Sequence, residues 1–199
     1  MVNLNSKQTF KVMLFILKNK RFKQAGAHKA TGVSLGRVNE VVQWLTGKNI
    51  VAREENYFVL VDPVGLLSSL QFFRDMNRLL YFKLPLRISK KGLLEKLPEG
   101  CVLCLDSALE FYSKYWHSNK VCVYGDEKTA RAARKIAQPF AGGENLFYFY
   151  KIDHAPGIAV KQGHRITDKV RTVVDLACDK KLFYAKDLIE DLWGISLEE

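Results

Sequence analysis

The chain has 199 residues, enough for one large domain or two small ones, and 48% of them are hydrophobic, too many for a disordered protein. No apolar run is long enough to cross a bilayer, and the stretch at 12–17 is too short for a signal sequence and lacks a cleavage site. We therefore expect a globular cytoplasmic protein that does not act on a membrane.

The net charge of +10 is unevenly distributed. Residues 1–60 carry ten Lys/Arg against three Asp/Glu, residues 61–100 carry seven against four, and residues 101–199 carry fourteen of each. A basic first part joined to a neutral second part is typical of a polyanion-binding module attached to a domain with another task.

Three helices are predicted near the N-terminus. Asn5 and Ser6 can cap a first helix, a second short helix fits 24–31 after a basic turn at 18–21, and Ser34 can cap a third helix over 35–47. The spacing of the third helix predicts one buried apolar face, made of Leu35, Val38, Val42 and Leu45.

A hairpin follows these helices. Two β-type runs, 50–51 and 57–60, flank a polar segment of hairpin length at 52–56. Helix, helix, turn, helix and hairpin form the order of a winged helix-turn-helix domain, which we place at residues 1–61.

The side chains of this module suit duplex DNA. Arg37 can pair bidentately with a guanine edge, and Asn39 or Gln43 with an adenine edge. Ser34 at the helix N-terminus can hold a phosphate, and Lys48 and Arg53 add attraction that does not depend on sequence.

Residues 62–98 are predicted to be a helical connector. Asp62 and Pro63 start a helix that the apolar spacing extends to Tyr81, serving either as a homodimer element or as a strut. A break at 84–86 then marks a junction, and a short basic helix follows at 87–97.

Residues 99–199 alternate between strand and helix patterns, which predicts a mixed α/β domain and an α+β class for the whole chain. Ser107 and Glu110 have the spacing of a capping box for a helix to Tyr115. Strands are predicted at 120–124, 145–152 and 157–160, and helices at 127–137, 168–178 and 186–193.

Two segments of this domain resemble the C-terminal domain of the AbiEi abortive-infection antitoxins. They are Asp106-Ser107-Ala108-Leu109 and the run from Arg165 to Leu176, which contains Arg171-Thr172-Val173-Val174-Asp175-Leu176. The resemblance implies a winged-helix repressor of its own operon that opposes a nucleotidyltransferase toxin, with Ser107, Arg171 and Asp175 as candidate partner-binding residues. From the residues alone, Arg171 and Asp175 are one helical turn apart and can instead form an internal ion pair.

The sequence contains no phosphate loop, nucleophile elbow or His-Glu-x-x-His motif, and its one Cys-x-x-Cys lacks a second pair, so we expect no enzyme, cofactor or metal site. The alternative is a magnesium-dependent nuclease that targets DNA through the winged helix. Its candidate groups are Asp126, Glu127 and Lys128, which follow a predicted strand, with Glu144 and Asp153 further along the chain. The favoured hypothesis is a transcriptional regulator that binds double-stranded DNA.

Overall fold

The computed structural model describes residues 6–154 and 157–197. The chain divides into two compact units, Met1–Arg74 and Asp75–Glu199. Each unit contains helices and one β-sheet, which confirms the predicted α+β class. The boundary between the units falls inside the predicted 62–98 connector, whose residues are therefore divided between them.

The first unit consists of helices around a small antiparallel sheet with strand order β1-β3-β2. Its elements in chain order are α1 (Lys7–Asn19), β1 (Arg21–Phe22), α2 (Gln24–Thr31), α3 (Leu35–Thr46), β2 (Val51–Glu54), β3 (Tyr57–Leu60) and α4 (Pro63–Gln71).

Side-chain caps start three of these helices where the sequence predicts them. The Ser6 hydroxyl accepts a hydrogen bond from the Thr9 N–H, Ser34 caps α3, and the Asp62 carboxylate accepts from the Gly65 N–H at 2.8 Å. Such caps satisfy donors that have no partner inside the helix. Asn5, the other predicted cap residue, lies outside the described residues.

Three local predictions in the first unit are wrong. The basic turn at 18–21 contains the start of β1, which pairs antiparallel with β3 through Arg21↔Val59 and Phe22↔Phe58. Leu35 is 49% exposed rather than part of the buried face of α3. Strand β2 extends to Glu54, so the turn consists of Glu55 and Asn56, with Glu55 at a positive φ of 41°.

The predicted helix from Pro63 to Tyr81 is also wrong. Helix α4 ends at Gln71, a 3-10 helix spans Met76–Leu79, and β4 (Leu80–Leu86) follows. The predicted junction at 84–86 is the last part of this strand. Pro85 fits because β4 lies at the edge of its sheet, where a residue without an N–H costs no ladder bond on the open side.

The second unit is built on a six-stranded mixed sheet with order β4-β7-β6-β5-β9-β8. After β4 its elements are α5 (Lys90–Leu94), β5 (Val102–Leu103), α6 (Leu105–Leu109), β6 (Lys120–Gly125), α7 (Glu127–Ala137), β7 (Asn145–Lys151), β8 (Ile158–Lys161), β9 (His164–Thr167), α8 (Lys169–Cys178) and α9 (Lys186–Trp193). Strand β9 and the early end of α5 were not predicted.

One face of this sheet packs against α7. Val121, Val123, Phe147 and Phe149 from the central strands form a buried cluster with the alanines of α7, which are Ala130, Ala133 and Ala137. Small residues on the inner side of α7 allow the helix to approach the aromatic strand residues closely. The outer side of α7 carries the charged residues, as its sequence pattern predicts.

Ser107 does not start a capping box. It lies inside α6, whose N-cap is Cys104, and α6 ends at Leu109 rather than at Tyr115. The Ser107 hydroxyl accepts from the Cys122 N–H at 2.8 Å and contacts the Lys120 carbonyl at 3.2 Å. Because β5 has only two residues, this side chain supplies the partners that a longer strand would give to β6.

Candidate nucleic-acid interface

Helix α3 separates an apolar side from a polar side. Val38, Val41, Val42 and Leu45 are fully buried, while Asn39, Glu40 and Gln43 are exposed. The Ser34 side chain caps the helix by accepting from the Arg37 N–H at 3.4 Å. The exposed side therefore presents amide and charged groups on a rigid support, which is the arrangement that reading base edges requires.

Arg37 is already paired within the helix. Its Nη1 lies 2.7 Å from the Glu40 Oε2, and the Arg37 side chain is 22% exposed. A guanine edge would have to replace this carboxylate as the acceptor. The local charge of the exposed α3 side is therefore close to neutral, and its polar chemistry is carried by Asn39 and Gln43.

A hydrogen bond joins the exposed side of α3 to the start of α2. The Gln24 Nε2 donates to the Asn39 Oδ1 at 3.1 Å. This bond fixes the orientation of the Asn39 amide and adds Gln24 to the same polar surface. Gln24 was not among the predicted site residues because the two positions are 15 residues apart and helical spacing does not relate them.

Two cations next to this surface pack on one aromatic ring. The Arg21 guanidinium carbon lies 4.4 Å, and the Lys23 Nζ 4.8 Å, from the centre of the Tyr57 ring. Tyr57 belongs to β3, Arg21 to β1, and Lys23 immediately precedes Gln24 at the start of α2. The interaction of each cation with the ring holds charge at the edge of the sheet.

We call the surface formed by Asn39, Gln43, Gln24, Lys23, Arg21 and Tyr57 the α3–β1 surface. A hydrogen bond joins Asn39 to Gln24, Lys23 precedes Gln24 in the chain, and Lys23 and Arg21 both contact Tyr57. Sequence reasoning found only Asn39 and Gln43, because β1 has two residues and gives no alternating pattern. The basic composition of 18–23 was the one available signal.

The other two predicted phosphate contacts lie elsewhere on the first unit. Lys48 is exposed just after the end of α3, and Arg53 is exposed on β2 opposite Phe58. The β2–β3 turn between the strands carries exposed carboxylates at Glu54 and Glu55, and Glu54 lies 3.7 Å from the Arg21 guanidinium. The tip of this hairpin therefore carries more negative than positive charge.

The three candidate partner-binding residues of the second unit are buried. Ser107 and Asp175 have no exposed surface and Arg171 is 1% exposed. The Arg171 Nε lies 2.8 Å from the Asp175 Oδ1, which confirms the predicted ion pair, and the Arg171 Nη2 lies 2.7 Å from the Asp153 Oδ1. The guanidinium also lies over the Tyr124 ring at 5.3 Å.

A second ion pair holds α6 in place through the buried carboxylate of Asp106. The Lys181 Nζ lies 2.9 Å from the Asp106 Oδ2 and 2.6 Å from the Asp179 Oδ2. Burial lowers the pKa of Lys181, but hydrogen bonds to the two carboxylates raise it by more, so the net shift of the pKa is upward. The residues of the Asp106-Ser107 and Arg171–Asp175 motifs thus form internal contacts of the second unit.

The acidic residues of the nuclease hypothesis lie in different surroundings and do not form one group. The Asp126 carboxylate caps α7 by accepting from the Thr129 N–H at 2.7 Å, and this bond holds the pKa of Asp126 below its usual value. Glu127 pairs with Arg131, Lys128 and Glu144 are exposed, and Asp153 binds Arg171. Within 6–154 and 157–197, no group of three or more His, Cys, Asp or Glu side chains is arranged to hold a metal ion.

The four cysteines are free thiols, and three of them are buried. Burial raises the pKa of the Cys101 thiol to about 12, and the same cause raises the pKa of Cys122. Without a bound metal these two thiols are therefore protonated at neutral pH, and neither is an activated thiolate.

Among the helices described, none is long and apolar enough to cross a membrane. Comparison of the chain with protein-family models, with curated proteins and with solved structures gave no match.

Proposed function

We propose that this protein is a DNA-binding transcriptional regulator whose first unit reads duplex DNA as a winged helix-turn-helix. The observation that carries the proposal is the α3–β1 surface, in which the exposed amides of α3 adjoin two cations held on Tyr57. Amides that can pair with adenine edges and cations that can pair with phosphates are the two contact types that sequence-specific DNA binding combines.

The order of elements supports this assignment. Helix, strand, two helices and a two-stranded hairpin that adds to the first strand form the arrangement in which a winged helix presents its third helix to the major groove. The first unit carries eleven Lys/Arg against four Asp/Glu, so a polyanion is favoured over a neutral partner.

The charge pattern also refines the expected contacts. Because Glu54 and Glu55 lie at the hairpin tip, we assign phosphate binding to Arg21 and Lys23, which pack on Tyr57 beside the tip, rather than to the tip residues themselves. Arg53 and Lys48 remain secondary candidates. Repression of its own operon and opposition to a nucleotidyltransferase toxin rest on the resemblance to AbiEi-type antitoxins.

The test separates base reading from charge. Selection from random duplexes should enrich one sequence, and Asn39→Ala or Gln43→Ala should then weaken binding to that sequence by about 5- to 150-fold, corresponding to about 1–3 kcal/mol for one base contact. Both variants should bind unrelated duplexes as tightly as the wild type does, because they keep the cations.

Arg21→Gln combined with Lys23→Gln should instead weaken all duplexes alike. The slope of log affinity against log salt should become shallower by about 2, since each phosphate contact contributes about 1. The matched control replaces two exposed cations of the second unit, Arg78→Gln and Lys96→Gln, and should leave the slope unchanged. A selection that enriches no duplex, or equal slopes in both double variants, would refute the proposal.

A further inference from the structure

Four aromatic residues lie on two segments of the second unit that touch each other, and three of them are exposed; we call the four the aromatic patch. Tyr115 and Trp116 lie between α6 and β6, and Phe183 and Tyr184 lie in the 3-10 helix Leu182–Ala185. The rings of Trp116 and Tyr184 are 4.4 Å apart between centroids and tilted by 34°, so the two segments are in contact.

The exposure of this patch is unusual for residues of this type. Tyr115 is 91% exposed, Tyr184 47% and Phe183 40%. Large apolar side chains that are scattered singly need no explanation, whereas a contiguous group usually marks a binding surface.

The patch is also held at a cost. The Trp116 Nε1–H is buried and has no hydrogen-bond partner within the described residues. An unsatisfied buried donor destabilises the folded state. The loop that carries Trp116 is anchored independently, since the Ser118 N–H donates to the Glu110 Oε1 at 2.8 Å. The surrounding structure therefore holds the indole ring in place, although the indole N–H has no hydrogen bond there.

Three lysines lie on or next to the two aromatic segments. The Lys186 Nζ lies 5.0 Å from the centre of the Phe183 ring, and Lys114 and Lys180 are exposed next to the two aromatic segments. Neither Lys114 nor Lys180 has a carboxylate within 4 Å in the part of the chain that is described. Asp187 is an exposed carboxylate beside Lys186, while Asp179 is bound by Lys181.

We infer that the aromatic patch binds single-stranded nucleic acid, with unpaired bases stacking on Tyr115 and Phe183 and the lysines pairing with phosphates. Exposed rings interleaved with cations are the composition of single-strand binding surfaces, where each base stacks with little regard to its identity. Protein interfaces are enriched in aromatic residues too, but they are depleted in lysine. A duplex does not offer its base faces for stacking, so the ligand differs in kind from that of the first unit.

The test uses the full chain and two labelled oligonucleotides of about twelve nucleotides, oligo(dT) and oligo(rU). Fluorescence anisotropy measures the affinity of the protein for each. Tyr115→Ala with Phe183→Ala should lower affinity for both by at least about tenfold, because each stacked base contributes about 1–3 kcal/mol. A preference for one oligonucleotide would identify DNA or RNA as the source of the strand. Since Tyr115 is 91% and Phe183 40% exposed and neither belongs to the core, circular dichroism should show an unchanged fold.

The matched control is Phe72→Ala, which removes an 84% exposed aromatic residue from the first unit and should not alter single-strand affinity. Arg21→Gln with Lys23→Gln separates this inference from the proposed function, because it should weaken duplex binding while the loss caused by Tyr115→Ala and Phe183→Ala persists. Absence of single-strand binding, or equal affinity in the patch variant and the wild type, would overturn the inference. So would a patch that instead joins two copies of the chain, seen as a dimer that dissociates in the patch variant.

Discussion

At the scale of single residues, burial decides which charged groups can act on a ligand. Arg171 and Asp175 attract attention in the sequence because arginine and aspartate are common binding groups. In the structure they are at most 1% exposed and bind each other and Asp153. No sequence motif draws attention to Asn39, Gln43 or Arg21, but their side chains are accessible. Accessibility depends on tertiary packing, which helical spacing alone does not report.

The buried ion pair predicts a large loss of stability on mutation. Asp175→Ala removes one carboxylate from a guanidinium that stays buried, and breaking such a pair costs about 3–5 kcal/mol in free energy of unfolding. Asp191→Ala is the matched control, since its carboxylate pairs with Lys169 at the surface with 54% exposure, and surface pairs contribute about 0–1 kcal/mol. Urea denaturation of both variants measures the difference, and equal losses would contradict the structural role.

At the scale of elements, the sequence predicted long, periodic segments well and short ones poorly. Helices α3, α7 and α8 were predicted within one residue of their observed ends because their apolar spacing and their caps agree. The two-residue strands β1 and β5 give no period to detect. The start of strand β4 was mistaken for helix because Leu79 and Leu80 continue an apolar pattern that only pairing with β7 makes extended.

Close packing between elements predicts opposite effects for two glycines. A Cβ on Gly143 would lie 2.3 Å from the Leu86 carbonyl oxygen and 2.6 Å from the Arg87 nitrogen, both backbone atoms that cannot move without shifting β4. Gly143→Ala should therefore destabilise the second unit. Gly26 lies in α2 with open space around its Cα, so Gly26→Ala should stabilise the protein by about 0.5–1 kcal/mol. Thermal denaturation tests both, and a stable Gly143→Ala protein would show that the loop can relax.

At the scale of the whole molecule, the charge distribution along the sequence correctly indicated two parts. The predicted start of the second part, residue 99, is however later than the observed start at Asp75. Residues 99–199 include the neutral composition that suggested a separate domain. They omit β4, which pairs with β7 along the edge of the sheet and supplies Phe82, Leu84 and Leu86 to the core cluster. Composition reports where charge changes, whereas the unit boundary follows strand pairing.

This difference predicts how fragments behave. Residues 75–199 expressed alone should unfold cooperatively in urea, because they contain every strand of the six-stranded sheet. Residues 99–199 should aggregate or unfold without a cooperative transition, since removal of β4 exposes β7 as a new open edge and uncovers part of the core. Residues 1–74 serve as a control for fragment expression. Cooperative unfolding of 99–199 would show that β4 is dispensable.

The pair between Arg37 and Glu40 has a consequence for how the protein would search a genome. A reading helix whose only arginine is held by its own carboxylate, at 2.7 Å, presents little net charge to a random sequence. On the proposed function, residence at unrelated sites then depends on cations outside α3, chiefly Arg21 and Lys23, and translocation along the duplex stays fast. Only a site whose bases accept the guanidinium better than Glu40 does would slow the molecule, so the carboxylate acts as an internal competitor that sharpens selectivity at the expense of total affinity.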